Sequence, residues 1–248
     1  MTAGLVVTPV LLVFRALFHL QLVVDWAKLV NMRVISGRFK GVALATPKTG
    51  TRPTTDRTKE AIFSHLDSWG VLDDARVLDL FAGTGALGIE ALSRGARELV
   101  AVESSRPAAA LITKTLADLK RNRSWSVDLS ARVLAKKAET VAGGFGESFD
   151  VIFIDPPYAY GTDDCNQLLA DLAAGDATNE RTVIMLERSI RSDDPAAPEG
   201  WAITERRNYG ETAVFYIEPI AESTETTDAA ESAETAEQAT EASVVAES

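Results

Sequence analysis

The segment from Arg76 to Glu103 most narrows what this chain can fold into. "ARVLDLF" is an apolar, strand-like run that stops at Gly83. A helical stretch, Ala86 to Arg94, follows and is closed by Gly95 as a C-cap. "ELVAVE" then reads as a second strand. Two buried strands joined by a helix need a crossover connection, so they lie parallel in one sheet. The alternation continues. Pro107 to Lys120 reads as a helix with proline in its first turn, "SVDLSARVL" holds a strand, and "FDVIFID" is another. Asp163 to Ala173 is helical and "RTVIMLE" strand-like. "WAITERRNY" and "ETAVFYIE", parted by Gly210, read as a hairpin. The expected class is α/β: a Rossmann-like, doubly wound, mostly parallel sheet with helices on both faces and a closing antiparallel hairpin.

Four regions are expected along the 248 residues. Residues 71–217 form the α/β domain. Residues 32–70 form a basic arm, read as a small β-hairpin or extended segment, and then a helix. In "RPTTDRTKEAIFSHL", Thr55 or Asp56 can cap that helix, and Ala61, Ile62, Phe63 and Leu66 form its apolar face. Residues 218–248 are mostly Ala, Glu, Thr and Ser without an aromatic ring, a composition expected to stay disordered. Residues 1–31 are apolar but interrupted by Arg15, His19 and Pro9. The expectation is a stretch outside the domain, with Met32 the native start; the alternatives are an amphipathic helix and a membrane anchor.

The glycine loop carries the first chemistry. Gly83-x-Gly85-x-x-Gly88 sits directly after a strand and at the head of a helix. Glycine lets the backbone turn sharply and approach a ligand, and the helix start favours an anionic group. Glu103 ends the next strand, at about the 20-residue distance where a carboxylate accepts both hydroxyls of a ribose. A nucleoside-containing cofactor follows; the bland alternative is a packing turn with an incidental acid. Asp79 comes from the same strand as the loop, and a carboxylate there suits a cationic amino-acid group better than a pyrophosphate. S-adenosylmethionine carries an ammonium, a sulfonium and a ribose.

"DPPY", Asp155 to Tyr158, ends the fourth core strand. Proline cannot continue a ladder, so the strand stops there, at the end of the sheet that the glycine loop also faces. Asp155 and the carbonyl of Pro156 can accept the two hydrogens of an amino group on a flat ring. That turns the nitrogen lone pair outward and stabilises the charge it gains. Pro157 stiffens the turn, and Tyr158 can stack on a base swung out of its helix.

Composition bounds the rest. A single cysteine, Cys165, allows no intrachain disulfide and fits a reducing cytoplasm, and no metal site is expected. His19 and His65 are the only histidines and lie in no triad or zinc motif. The net charge is −11, but the stretch from Ala221 to Ser248 holds eight acids and no base. Residues 32–59 hold Arg33, Arg38, Lys40, Lys48, Arg52, Arg57 and Lys59 against Asp56 alone. That excess is a candidate phosphate-binding face, its alternative a solvated surface.

"DLFAGTG" with an acid-ended second strand resembles the S-adenosylmethionine motif of class I methyltransferases, and "DPPY" that of amino-nitrogen methyltransferases. Over 32–217 the chain resembles one family, the bacterial RsmD-type methyltransferases, which modify N2 of a guanine in 16S ribosomal RNA. The resemblance rests on "RVISGRFKG" (33–41), "RPTTDRTKEAIFSHL" (52–66), "LDLFAGTGALGIEALSRGA" (78–96), "IDPPY" (154–158) and "NYGETAVFYI" (208–217). It implies a class I fold and S-adenosyl-L-methionine as cofactor, held by Asp79, Phe81, Ala82, Gly83, Gly85, Glu103 and Ser104. Asn or Asp followed by Ala is frequent in the family after the third strand. Here the place reads Lys137-Ala138-Glu139, so adenine contacts fall to Ala138 or Glu139. Catalysis is expected from Asp155, Pro156, Pro157 and Tyr158, and RNA contact from Arg33, Arg38, Lys40, Arg52 and Arg57. The implied partner is 16S rRNA, naked or in a partly assembled small subunit, and the implied location the cytoplasm. Alternatives are an adenine-N6 methyltransferase on DNA or RNA and, from another class, an NAD-dependent dehydrogenase, which would leave "DPPY" unexplained.

Overall fold

The computed structural model describes residues 32–45 and 56–221. The expectations for 1–31, for Arg52 and Thr55, and for the acidic stretch from residue 222 onward lie outside the described residues. Seven strands and four α-helices follow in chain order: α1 (Asp56–Trp69), β1 (Arg76–Asp79), α2 (Ala86–Arg94), β2 (Glu98–Val102), α3 (Arg106–Leu119), β3 (Ser130–Leu134), β4 (Val151–Ile154), α4 (Thr162–Ala174), β5 (Val183–Ser189), β6 (Trp201–Tyr209) and β7 (Thr212–Pro219). Element ends agree with the sequence reading to within a few residues. α3 opens at Arg106, where the Ser105 hydroxyl accepts from the Ala108 N–H at 3.4 Å.

The strands form one sheet in the order β3-β2-β1-β4-β5-β7-β6. β1 to β5 are parallel, whereas β7 pairs antiparallel with both β5 and β6. Alternate residues of each strand enter opposite cores. Val77, Leu99, Val151, Phe153 and Met185 pack with α1, α2, α3 and the arm. Leu78, Val100, Ile152, Ile154 and Leu186 pack with α4. Burial on both faces explains why the core strands read as continuous apolar runs. The chain reverses its winding between β1 and β4, and in such sheets the crevice opens there, outside the carboxyl ends of the strands. Asp79 closes β1 and Asp155 follows β4, so both acids meet at that point.

The arm is a hairpin of minimal kind. One bridge joins Arg33 to Ala43, with Val34 and Leu44 donating to the Val42 and Met32 carbonyls at 2.9 and 2.7 Å. Its tip, Gly37–Phe39, is a single 3₁₀ turn. Gly37 has φ +76°, and any Cβ there would stand 1.9 Å from the Ser93 carbonyl oxygen, so the close approach to α2 requires glycine.

A buried ionic hub fixes the arm to the domain. Glu90 of α2 is fully buried. It accepts the Ile35 and Ser36 N–H groups at 2.8 and 2.9 Å and Arg94 Nε at 2.9 Å, and pairs with Lys59 Nζ at 3.3 Å. Arg94 reaches on to Asp67 and Glu60 at 2.6 and 2.7 Å. This corrects one part of the basic-face reading. Lys59 is 1% exposed and donates to the Arg33 carbonyl, so it is a structural cation and not a phosphate contact. His65 is likewise structural, packed against Trp69 and Tyr216 and paired with Glu205 of β6 at 2.7 Å.

Candidate active site

A cleft of about 1320 Å³ opens at the carboxyl ends of β1 and β4. Its floor begins at the glycine loop. Gly83 and Gly85 take φ +55° and +77°, and the Gly85 N–H donates to the Ala82 carbonyl at 2.6 Å, closing a turn tight enough to start α2 at once. Gly88 serves packing: a Cβ there would stand 2.4 Å from Leu99 Cδ1.

Two amides of the glycine motif, those of Gly83 and Gly88, have anionic partners within the chain. The Gly83 N–H donates to Glu103 Oε2 at 2.8 Å, and the Ser105 N–H to Glu103 Oε1 at 2.6 Å. The Gly88 N–H donates to Asp79 Oδ2 at 3.1 Å. The positive end of α2 is thus matched by two carboxylates of the chain itself, which leaves a poor seat for a pyrophosphate. Glu139, Asp155, Glu187 and Glu211 add to the acid of the cleft. Such a surface suits a cationic ligand.

Asp79 is strongly perturbed. It is 1% exposed, and its Oδ1 has no hydrogen-bond partner among the described residues. Burial above all pushes its carboxyl up from 3.8 to about 7. The Gly88 N–H pulls the other way, and the charges of Asp155 and Glu103 add to the rise. An orphaned buried oxygen at the edge of an acidic cleft is the partner an ammonium group lacks. The residues present therefore fit a cationic amino-acid group here and a ribose at Glu103.

An apolar wall stands beside Glu103. Phe81 and Tyr160 meet edge to face, ring centroids 5.2 Å apart, with Ala138 next to them in the short helical turn Ala138–Thr140. Burial first, then the neighbouring Glu139 carboxylate, raises the Tyr160 phenol above its usual range. Tyr160 was not foreseen from the sequence, although it lies only two residues beyond DPPY. Arg188 of β5 was also missed. It is 7% exposed, donates to the Tyr160 carbonyl at 2.8 Å and reaches Thr162 Oγ1 at 3.4 Å. It thereby clamps the far end of the DPPY turn to the sheet.

Most of the expected site residues come together. Asp155, Pro156, Pro157 and Tyr158 all line the cleft, as do Asp79, Phe81, Ala82, Gly83, Glu103, Ser104, Ala138 and Glu139. Tyr158 is 74% exposed, its ring free to receive a flat partner. Gly85 does not line the cleft. It shapes the turn, and a Cβ there would stand 3.0 Å from Ile89 Cδ1. Of the expected RNA contacts, Arg57 borders the cleft, whereas Arg33, Arg38 and Lys40 are exposed on the arm outside it. The opposite rim comes from Tyr209, Gly210, Glu211 and Thr212 of the terminal hairpin. No helix among the described residues is long and apolar enough to cross a membrane.

Known proteins match this arrangement. The family described as "Conserved hypothetical protein 95" matches residues 32–218. The chain is 33% identical over 185 residues to ribosomal RNA small subunit methyltransferase D of Escherichia coli K12, covering 74% of this chain and 87% of that protein. It is 36% identical over 184 residues to YlbH of Bacillus subtilis 168, covering 74% and 96%. The solved structure of yhhF from Escherichia coli superposes with a TM-score of 0.66 at 29% identity, covering 77% of this chain and 99% of that one. The sheet order, the acid-lined glycine loop and the DPPY turn are those of a class I methyltransferase fold, and the chain belongs to the conserved hypothetical protein 95 family, the RsmD family of methyltransferases.

Proposed function

We propose that this protein transfers the methyl group of S-adenosyl-L-methionine to the exocyclic N2 of a guanine in 16S rRNA. The observation that carries the reading is that Asp79, with its unpartnered buried oxygen, and the DPPY turn open on one acidic cleft. Relatives named small subunit rRNA methyltransferase D support the RNA substrate. The cofactor supplies an electrophilic methyl group on a positively charged sulfur. Asp79 would hold its ammonium, Glu103 its ribose hydroxyls, and the Phe81–Tyr160 wall with Ala138 its adenine. At 1320 Å³ the cleft exceeds the usual ligand pocket of about 300–1000 Å³, leaving room for a base as well.

The chain's own groups then act on the incoming amine. Tyr158 stacks on the flipped base. Asp155 and the Pro156 carbonyl accept the two N–H bonds, which aligns the nitrogen lone pair with the methyl carbon. The cofactor, when bound, would supply the methyl group to that nitrogen and keep the electron pair of the bond given up. Positive charge builds on nitrogen, where Asp155 stabilises it until the proton leaves. The substrate is tested with rRNA from a strain lacking the gene, methylated in vitro and digested to nucleosides. Mass spectrometry should show N2-methylguanine. N6-methyladenine would overturn the guanine reading in favour of the adenine alternative.

The Asp79 carboxyl makes cofactor binding pH-dependent. A bound cation favours its ionised form. Affinity should therefore rise about tenfold per pH unit below about 7 and level off above it. Folding responds with the opposite sign. The unfolded carboxyl ionises near 3.8 and the folded one near 7, so this group's contribution to stability falls between those values as pH rises. Calorimetric titration of S-adenosylmethionine from about pH 5.5 to 8.5 checks the first claim, and Asp79→Asn should flatten the curve. A slope that survives in Asp79→Asn belongs to another group.

A further inference from the structure

Arg38 and Lys40 are not at the mouth of the cleft. Ala86 and Leu87 at the start of α2 line the cleft, whereas the arm's tip packs on the other end of that helix. Phe39 donates its N–H to Ser93 Oγ at 2.9 Å, so the tip stands roughly 10 Å down α2 from the cleft, at 1.5 Å per residue. There the buried Phe39 ring stacks on Trp125 of the α3–β3 loop, centroids 5.9 Å apart and planes 25° from parallel. Lys120 Nζ lies 5.8 Å from the centre of the Trp125 ring. The stack joins Phe39 and Trp125, which lie 86 positions apart in the sequence.

What it joins is basic. Arg38 and Lys40 flank Phe39, and "KRNRSWS" (120–126) flanks Trp125. Arg38, Lys40, Lys120, Arg121 and Arg123 are all exposed. Among neighbouring acids, Asp118 pairs with Arg121, and Asp128 takes the Ser126 hydroxyl. Such an excess of bases stands out in a chain of net charge −11. Arg33, at the base of the arm, is exposed as well, and Arg57 borders the cleft.

We infer that the arm tip and the α3–β3 loop form a second RNA-docking surface, which grips phosphates about three stacked nucleotides' length from the edge of the cleft. This rests on the proposed RNA substrate. The exposed bases neutralise phosphate without reading sequence, and the Phe39–Trp125 stack holds the two segments in fixed register. The surface would thus set affinity and orientation and leave the chemistry to the DPPY turn.

The test uses full-length protein, 16S rRNA lacking the modification, and the triple variant Arg38→Gln/Lys40→Gln/Arg123→Gln. All three side chains are exposed, so folding should be unaffected, which thermal melts check. Losing three phosphate contacts should lower the slope of log affinity against log salt by about two to three. The KM for RNA should rise on the order of tenfold while kcat holds. If the wild type methylates the RNA and the variant matches it in slope and KM, the surface is refuted and the functional reading stands. If the wild type transfers no methyl group but the variant still loses slope, the functional reading fails and the surface stands. A variant that binds RNA more tightly than the wild type would also refute it, because the patch would then be the seat of this chain's own acidic carboxy-terminal stretch.

Discussion

Glu90→Ala is expected to cost about 3–5 kcal/mol of folding stability, a large share of the roughly 5–15 kcal/mol that holds a typical domain together. The carboxylate is fully buried and meets four donors: two arm amides, Lys59 Nζ and Arg94 Nε. Without it, Lys59 keeps a charge at 1% exposure, and among the described residues the Arg33 carbonyl is the acceptor left to it. The two amides lose their acceptors as well. Glu90→Gln keeps the volume but turns one acceptor into a donor facing donors, so it too should destabilise. Removing both members of the pair, as in Glu90→Met/Lys59→Met, should cost less than either single change, because no lone charge is left buried. Urea denaturation of the wild type, Glu90→Ala, Glu90→Gln, Glu90→Met, Lys59→Met and the double variant measures this. Hydrogen exchange at Ile35 and Ser36 reports whether the arm lifts before the domain unfolds. A loss below about 1 kcal/mol for Glu90→Ala would show that the hub is not what fixes the arm.

This hub also marks where sequence reading stops. The sheet, its parallel order and its closing hairpin were legible because two-sided burial writes continuous apolar runs, and glycine and proline punctuate their ends. The glycine loop, Asp79, Glu103 and DPPY were legible because each sits at a strand end, where the fold fixes its direction. Glu90 was not. In "ALGIEALSR" it reads as an ordinary helical acid, and only the docking of the arm and of Lys59 turns it into a buried ion. Lys59 was misread for the same reason, since a basic run does not say which of its members faces inward. Arg188 and Tyr160 are joined by a bond across 28 positions, which no local pattern encodes. Arg38 and Lys40 were expected to contact RNA, but the sequence did not say where in the fold the arm would carry them. They stand at the far end of α2, because Gly37 can press against Ser93 and carry the tip there. One sign of the hub was available: a glutamate between Ile89 and Ala91 on a helix whose apolar residues leave little exposed face.

Asp155→Ala is expected to slow methyl transfer by about a hundred- to a thousandfold, the usual cost of removing one preorganised group that stabilises charge in the transition state. Cofactor affinity should stay within about threefold of wild type, for a reason particular to this cleft. Removing Asp155 takes away one negative charge that would attract a cation. It also lifts part of the repulsion that raises the Asp79 carboxyl, so Asp79 ionises more readily near neutral pH. The two effects oppose each other. The pH at which cofactor affinity levels off should therefore move below its wild-type position near 7. Asp155→Asn retains an oxygen that can accept one amino hydrogen but has no charge to offset the cationic nitrogen, so its rate should fall between those of wild type and Asp155→Ala. Single-turnover rates at saturating RNA, beside calorimetric cofactor binding across pH, separate the two roles. Cofactor binding lost together with activity, and an unchanged rate for whatever complex still forms, would place Asp155 in the cofactor seat and remove it from the chemistry.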